Sequence, residues 1–224
     1  MSHIDRDFPR PAPERIRAYH GVTAATAHEA YGRRGALDSA IKPLYPGMKL
    51  IGPAFPLGCP PGDNLTLHAA LKLARPGDVL VCDGAGFSEQ GLFGDVMASC
   101  AKGLGLAGLV VDGGVRDAET IRGIGFPVFS RAISIKGAVK ENLGPIGRAV
   151  VVGGITVHPG DLVIGDDDGV VVIPLAEIEP VLAASREREA KEVRFREALL
   201  AGKTTWDMLD LNRILQAKGV DFQL

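Results

Sequence analysis

Short apolar runs recur along this chain at intervals set by glycine and proline. They fall at Met48 to Phe55, Asp78 to Cys82, Gly108 to Asp112, Pro127 to Phe129, Ala149 to Val152, Leu162 to Ile164 and Val170 to Ile173. Several are consecutive Val, Leu and Ile rather than alternating apolar and polar residues, which predicts strands covered on both faces. Between them lie segments of helical character at Leu65 to Ala74, Val96 to Gly103 and Ala118 to Ile124. Two short helices are expected earlier, from Glu14 to His20 behind Pro13, and from Thr23 to Arg33 with Gly35 just beyond. The middle of the chain therefore reads as α/β. Residues 145–174 read as β-rich, with Val-Gly-Gly, Pro-Gly-Asp and Asp-Asp-Gly as turn signals.

Both ends differ from this middle. Pro9, Pro11 and Pro13 mark residues 1–13 as a loose arm. From Leu175 to Gly202 the chain is almost free of Gly and Pro, and Arg186 to Glu197 reads REREAKEVRFRE. That pattern predicts a long, mostly exposed helix, followed by another from Trp206 to Lys218. The expected organisation is an arm (1–13), an α/β domain (14–174) and a helical extension (175–224).

Composition narrows the function. Hydrophobic residues at 46% support a buried core, and 25 basic against 27 acidic residues leave a net charge of −2. A nucleic-acid binder would usually carry a strong basic excess, so that class is set aside. The three cysteines, Cys59, Cys82 and Cys100, include no CxxC pair, which points to a reducing compartment rather than a disulfide framework. No targeting pattern and no membrane-length apolar run is visible, so a cytoplasmic location is expected.

The most informative stretch is Gly91-Leu92-Phe93-Gly94-Asp95-Val96-Met97, followed, with twenty residues between, by Arg116-Asp117. Gly91 and Gly94 read as tight backbone turns, and a helix opens at Asp95 or a neighbour. Free N–H groups at a helix start suit a carboxylate. Arg116 follows an apolar run and should emerge at a strand end, where ligands of open α/β sheets bind and where a guanidinium can grip a carboxylate. Taken singly, Asp95 and Asp117 also fit plain helix N-caps, and Arg116 fits a surface ion pair. Spacing alone yields an anion site near a carboxylate.

The pair Gly94-Asp95 and Arg116-Asp117 resembles the signature of the RraA-like family of 4-hydroxy-4-methyl-2-oxoglutarate and 4-carboxy-4-hydroxy-2-oxoadipate aldolases. The likeness extends through Ala27-His28-Glu29-Ala30, Pro61-Gly62-Asp63-Asn64, Pro76 to Val81, Ser130-Arg131-Ala132, Gly160-Asp161 and Asp166 to Val172. Some forms of the signature add an acidic residue three positions past the second aspartate; here that position is Thr120, with Glu119 beside it. The resemblance implies a β/β/α sandwich of swivelling-domain type, assembled as homotrimers or homohexamers.

It further implies a class II aldolase acting on a 2-oxo acid, with Asp117 as the single direct protein ligand of Mg²⁺ or Mn²⁺. Arg116 and the backbone from Gly94 through Asp95 and Val96 to Met97 would hold substrate, and Asp95 would sit near metal-bound water. By the same resemblance Glu192 would reach a neighbour's site from the C-terminal helix, although a glutamate in an alternating charge run is more simply solvated. Oxaloacetate decarboxylation would follow from the same enolate chemistry, as a side activity or, in a rival reading, as the main one. The family also contains ribonuclease regulators that lack the metal-binding aspartate, a position filled here by Asp117. His28 and His68 read as packed or capping residues, and Asp166 to Asp168 as a tight turn before Gly169. No glycine-rich fingerprint for a methyl donor is evident.

Overall fold

The computed structural model describes residues 4–220; residues 1–3 of the arm and 221–224 of the extension lie outside them. The helices are α1 (Pro13–Ala18), α2 (Ala24–Ala30), α3 (Leu65–Leu73), α4 (Asp95–Gly103), α5 (Ala118–Ile124), α6 (Ile178–Leu200), α7 (Thr205–Met208) and α8 (Leu211–Ala217). The strands are β1 (Lys42–Pro43), β2 (Leu50–Gly58), β3 (Val79–Phe93), β4 (Gly108–Val115), β5 (Val128–Ile133), β6 (Val150–Val152), β7 (Ile155–Val157), β8 (Leu162–Asp166) and β9 (Gly169–Ile173).

Seven strands form one sheet in the order β1-β5-β4-β3-β2-β8-β9, with β2 to β5 mutually parallel and the others antiparallel to their neighbours. The parallel strands are joined through α3, α4 and α5, as parallel pairing requires a crossover. These helices cover one face: Leu67, Leu71, Met97, Ala101 and Ile121 pack on Phe55, Leu57, Leu80, Cys82, Leu109 and Val111. On the opposite face Ala54, Val79, Val81 and Val110 meet Val150, Val152 and Val157 of the β6–β7 hairpin. The result is a β/β/α sandwich. Alternate residues of one strand feed two cores, which is why runs such as Val79 to Cys82 and Leu109 to Val111 are apolar at every position.

A third cluster lies over β8 and β9, where Tyr19, Ala24 and Ala27 meet Ile178, Val181 and Leu182. The Tyr19 hydroxyl donates to the Ile178 carbonyl at 2.7 Å, fixing the start of α6. Beyond Ser185 α6 buries no residue, so its first turns dock on their own domain while the charged remainder stands exposed.

Several expectations change in detail. The arm has no regular structure but is not loose over its described part: Arg10 grips buried Asp78 with Nε at 2.7 Å and Nη2 at 2.9 Å, and Phe8 stacks on Phe55. Asp78 thus anchors the arm rather than opening a strand, and β3 continues to Phe93 through irregular pairing with β4. The short β1 and β7 are additional strands, too brief to show a pattern. The helix expected from Trp206 to Lys218 is two helices, broken at Asp210, whose φ is 49°. Among the described residues no helix is long and apolar enough to cross a membrane.

Candidate active site

β3 and β4 run parallel and end together: Phe93 pairs with Val115, and the Arg116 N–H donates to the Phe93 carbonyl at 2.9 Å. Each strand is followed at once by a dipeptide and a helix, Gly94-Asp95 into α4 and Arg116-Asp117 into α5. The interval between the two dipeptides is thus the length of one helix and the strand that returns beside the first. Both pairs meet at the carboxyl edge of the sheet, the ligand edge of open α/β sheets.

Asp117 occupies the N-cap position of α5 in the left-handed region, with φ 57° and ψ 38°, and makes no capping hydrogen bond. Its Oδ2 instead accepts from Arg116 Nε at 3.2 Å and from the Asp95 N–H at 3.3 Å. A non-glycine residue held at positive φ without capping its own helix is the kind of strain found at functional positions. Asp95 is the first residue of α4, and its Oδ1 accepts from the Val96 N–H at 2.8 Å. Two of the backbone donors expected for a substrate carboxylate, those of Asp95 and Val96, are therefore engaged by aspartate side chains.

The glycines work by closeness, not by turning. Gly94 is extended, with φ −139° and ψ −171°. A Cβ there would stand 2.4 Å from Asp117 Oδ2 and 3.1 Å from Arg116 Nε, and one on Gly91 would stand 2.8 Å from Arg116 Cβ. Their missing side chains are what let Arg116 and Asp117 lie against the end of β3.

A cavity of about 200 Å³ opens beside this corner. It is lined by Gly91, Gly94, Asp95, Val96, Met97 and Arg116 on one side, and by Asn64, His68, Ala138 and Lys140 on the other. The structure thus gathers Gly94, Asp95, Val96, Met97 and Arg116 into one wall, with Asp117 bonded to two of them. Glu192 is elsewhere on the chain, paired with Arg188 at 2.9 Å and Arg196 at 3.3 Å along the exposed part of α6.

The opposite wall went unread in the sequence. Buried Asp63 holds it: Oδ1 accepts from the Leu65 N–H at 2.9 Å, and Oδ2 from the N–H groups of Glu141 at 2.9 Å and Asn142 at 2.7 Å. One carboxylate ties the start of α3, which carries Asn64 and His68, to the loop that carries Lys140. Burial alone would push the Asp63 pKa up, but these donors outweigh it and hold the carboxyl below its usual range. Partial desolvation, with the Lys140 ammonium nearby, lowers the pKa of His68. Asn64 Nδ2 donates to the Leu92 carbonyl at 2.8 Å, which fixes the amide and leaves its buried Oδ1 without a partner. A histidine on a mostly apolar helix and a lysine in a loop carry no signal in sequence, because only the fold shows that they face one cavity.

The other expected bystanders behave as read. His28 Nδ1 contacts the Arg34 carbonyl at 3.0 Å, and Asp166 Oδ1 accepts from the Asp168 N–H at 3.0 Å within the β8–β9 turn. Among the described residues no group of three or more His, Cys, Asp or Glu could hold a metal. At the corner the donors are carboxylate oxygens, Asp117 with Asp95 beside it, and one oxygen of each, Asp117 Oδ2 and Asp95 Oδ1, is engaged by a hydrogen bond among the described residues. That set fits a small hard cation that keeps much of its shell as water or substrate oxygen.

Comparison with known proteins identifies the family. A protein of Halalkalibacterium halodurans named "Putative 4-hydroxy-4-methyl-2-oxoglutarate aldolase" is 40% identical over 192 residues, covering 86% of this chain and 88% of its own. An uncharacterized protein from Pseudomonas syringae superposes with a TM-score of 0.80 at 28% identity, over 88% of this chain and 93% of that one. Streptomyces coelicolor RraAS2, described as an unusual member of the RNase ES inhibitor RraA protein family, gives a TM-score of 0.77 at 34% identity, over 84% and 100%. The aldolase/RraA family model matches residues 23–172, and with the sandwich and the paired dipeptides in place, the chain belongs to the RraA-like family.

Proposed function

We propose that the protein is a divalent-metal-dependent class II aldolase that cleaves 4-hydroxy-4-methyl-2-oxoglutarate into two molecules of pyruvate. The observation that carries this reading is the corner where Arg116, Asp117 and Asp95 meet beside the cavity. The 40% identity to a relative bearing an aldolase name supports it. The same chemistry would release pyruvate and oxaloacetate from 4-carboxy-4-hydroxy-2-oxoadipate, and would decarboxylate oxaloacetate as a side activity.

Retro-aldol cleavage removes the proton of the C4 hydroxyl, breaks the C3–C4 bond and leaves an enolate of pyruvate to be protonated at C3. Asp117, with Asp95 near it, would hold Mg²⁺ or Mn²⁺, which when bound supplies Lewis-acid stabilisation of the developing negative charge on the order of several kcal/mol. Arg116 bonds Asp117 through Nε, and among the described residues its terminal nitrogens have no other partner, so they would hold the 2-oxo carboxylate end and the charge that grows there. Asp95 lines the cavity and is placed to orient the water that takes and returns protons.

The active assembly is a homotrimer or homohexamer in which Glu192 of one subunit approaches the site of another. The exposed half of α6 supports this, as does Val96, which lines the cavity and is 75% exposed. A second reading, a non-catalytic regulator of ribonuclease activity, is favoured by the likeness to RraAS2. Pyruvate release, followed by coupling to lactate dehydrogenase, separates the two. Turnover of 4-hydroxy-4-methyl-2-oxoglutarate is expected; no pyruvate from any of the three substrates at micromolar enzyme would leave the regulator reading standing.

A further inference from the structure

We propose that the groove between α3 and α4, beside the cavity, takes the hydrocarbon chain of 4-hydroxy-2-oxo acids that carry an apolar substituent at C4. The inference rests on the aldolase reading for its substrate class, but its test does not require turnover.

The groove has a volume of about 480 Å³, more than twice that of the cavity. His68, Val96 and Met97 line both, so the two hollows meet along one rim. Their chemistry differs. The cavity carries Asp95, Arg116 and Lys140, whereas beyond the rim the groove is walled by Leu71, Ala74, Cys100 and Leu104. Its one charged residue is Lys72, which is exposed, so its ammonium stays in water while its methylene stem borders the apolar wall. The helical period explains this surface. Val96, Cys100 and Leu104 recur every fourth residue along α4 and its C-cap, which puts them in one stripe. Such a stripe is ordinarily turned into the core. Here only the floor is covered, with Leu71 and Met97 buried, while Leu104 is 41% exposed and Cys100 is exposed.

A polar cavity that continues into an apolar groove fits a ligand with a charged head and a hydrocarbon tail. With the 2-oxo carboxylate at Arg116, a C4 chain leaving over the rim crosses Met97 and runs toward Cys100 and Leu104. Met97 suits that crossing, because an unbranched thioether adapts its shape to what lies on it. Partial desolvation and the Lys140 ammonium lower the pKa of His68, so the rim adds no full charge at neutral pH. Cleavage of such a substrate takes the C4 hydroxyl proton, breaks the C3–C4 bond and returns a proton to C3. The products are pyruvate and an aldehyde or ketone that keeps the apolar chain.

Two ligands isolate the chain. 2-Oxopentanoate and 2-oxooctanoate share one head group, differ by three methylenes and lack the C4 hydroxyl needed for cleavage. Full burial of a methylene is worth about fourfold in affinity, and in an open groove about half of that free energy, or about twofold, is expected. Titration calorimetry on the intact protein in Mg²⁺ buffer should therefore show 2-oxooctanoate binding about eightfold more tightly. Cys100→Gln, which puts a polar amide in the groove, should cut that ratio to about two; the ratio cancels any general loss of affinity. Cys100 is also a built-in reporter, since Cys59 and Cys82 are buried. Addition of N-ethylmaleimide to Cys100, followed by mass spectrometry, should slow about fivefold or more under saturating 2-oxooctanoate and less than about twofold under 2-oxopentanoate. The proposal is overturned if the acids bind equally or not at all, if Cys100→Gln keeps the ratio, or if 2-oxooctanoate leaves Cys100 unprotected. A Cys100 that does not react in the native protein overturns it too, because a second copy then covers the groove. Separate outcomes mark the two readings. Chain-dependent affinity with Cys100 protection, in a protein that releases no pyruvate from 4-hydroxy-4-methyl-2-oxoglutarate, sinks the aldolase and keeps the groove. Pyruvate release by a protein indifferent to chain length does the reverse.

Discussion

The proposed metal chemistry rests on Asp117, whose backbone permits an unusually clean test. At φ 57° an aspartate is strained, whereas a glycine is at ease. Asp117→Gly should therefore remove the carboxylate while leaving unfolding stability within about 1 kcal/mol of wild type. Pyruvate release should fall by more than about a hundredfold, as expected on losing a metal's Lewis-acid contribution. Thermal denaturation beside the coupled assay checks both halves, and retention of a tenth of wild-type turnover would rule out the ligand role. Gly94→Ala makes the companion prediction: its Cβ would stand 2.4 Å from Asp117 Oδ2, so the carboxylate must move and activity must drop although no polar group is lost. At this scale the meeting of Gly94-Asp95 with Arg116-Asp117 was legible as an anion site near a carboxylate, and the finer roles came only from resemblance. The sequence was opaque for Asn64, His68 and Lys140, whose meaning depends on two segments far apart in sequence being brought to one cavity by Asp63.

Among the elements, the joint between α3 and the Lys140 loop is the one most exposed to a single change. Asp63→Ala would leave the N–H groups of Leu65, Glu141 and Asn142 without their acceptor, at a cost of about 2–4 kcal/mol. Urea denaturation at neutral pH measures it; a loss under about 0.5 kcal/mol would show that water replaces these bonds freely. The pH dependence follows from the lowered pKa of Asp63. A carboxyl whose folded pKa lies below its unfolded value of about 3.9 stabilises the fold above that value and loses this contribution as pH falls through the folded pKa. Acidification below about pH 4 should thus destabilise wild type more steeply than Asp63→Asn. Stability slopes that coincide over that range would remove Asp63 from the account. The strands β2, β4, β8 and β9 were readable because burial on both faces leaves apolar runs. The second half of β3, from Asp83 to Gln90, was not, since its polar and glycine residues pair with β4 only through register shifts. The break between α7 and α8 was equally hidden, because the left-handed turn at Asp210 falls inside a helical pattern.

At the scale of the whole molecule, the sandwich accounts for the site's precision: two parallel strands, buried on both faces where they start and buried again where they end, deliver two dipeptides to one corner. The layered architecture was accessible through resemblance and strand composition together; the composition alone showed buried strands but not their order. What a single chain holds apart is Glu192, which pairs with Arg188 and Arg196 on α6. If subunits share a site, Asp117→Ala and Glu192→Ala oligomers, unfolded and reassembled together, should regain part of the activity that each lacks alone. A fully active Glu192→Ala protein would return that helix to a solvated role. The central claim, metal-dependent cleavage at the Asp95–Arg116–Asp117 corner, is tested most directly by pyruvate release from 4-hydroxy-4-methyl-2-oxoglutarate before chelation, after exhaustive treatment with EDTA, and after Mg²⁺ or Mn²⁺ is restored. The account predicts activity that disappears with the chelator and returns with either cation; full turnover in the chelated, metal-free protein would contradict it.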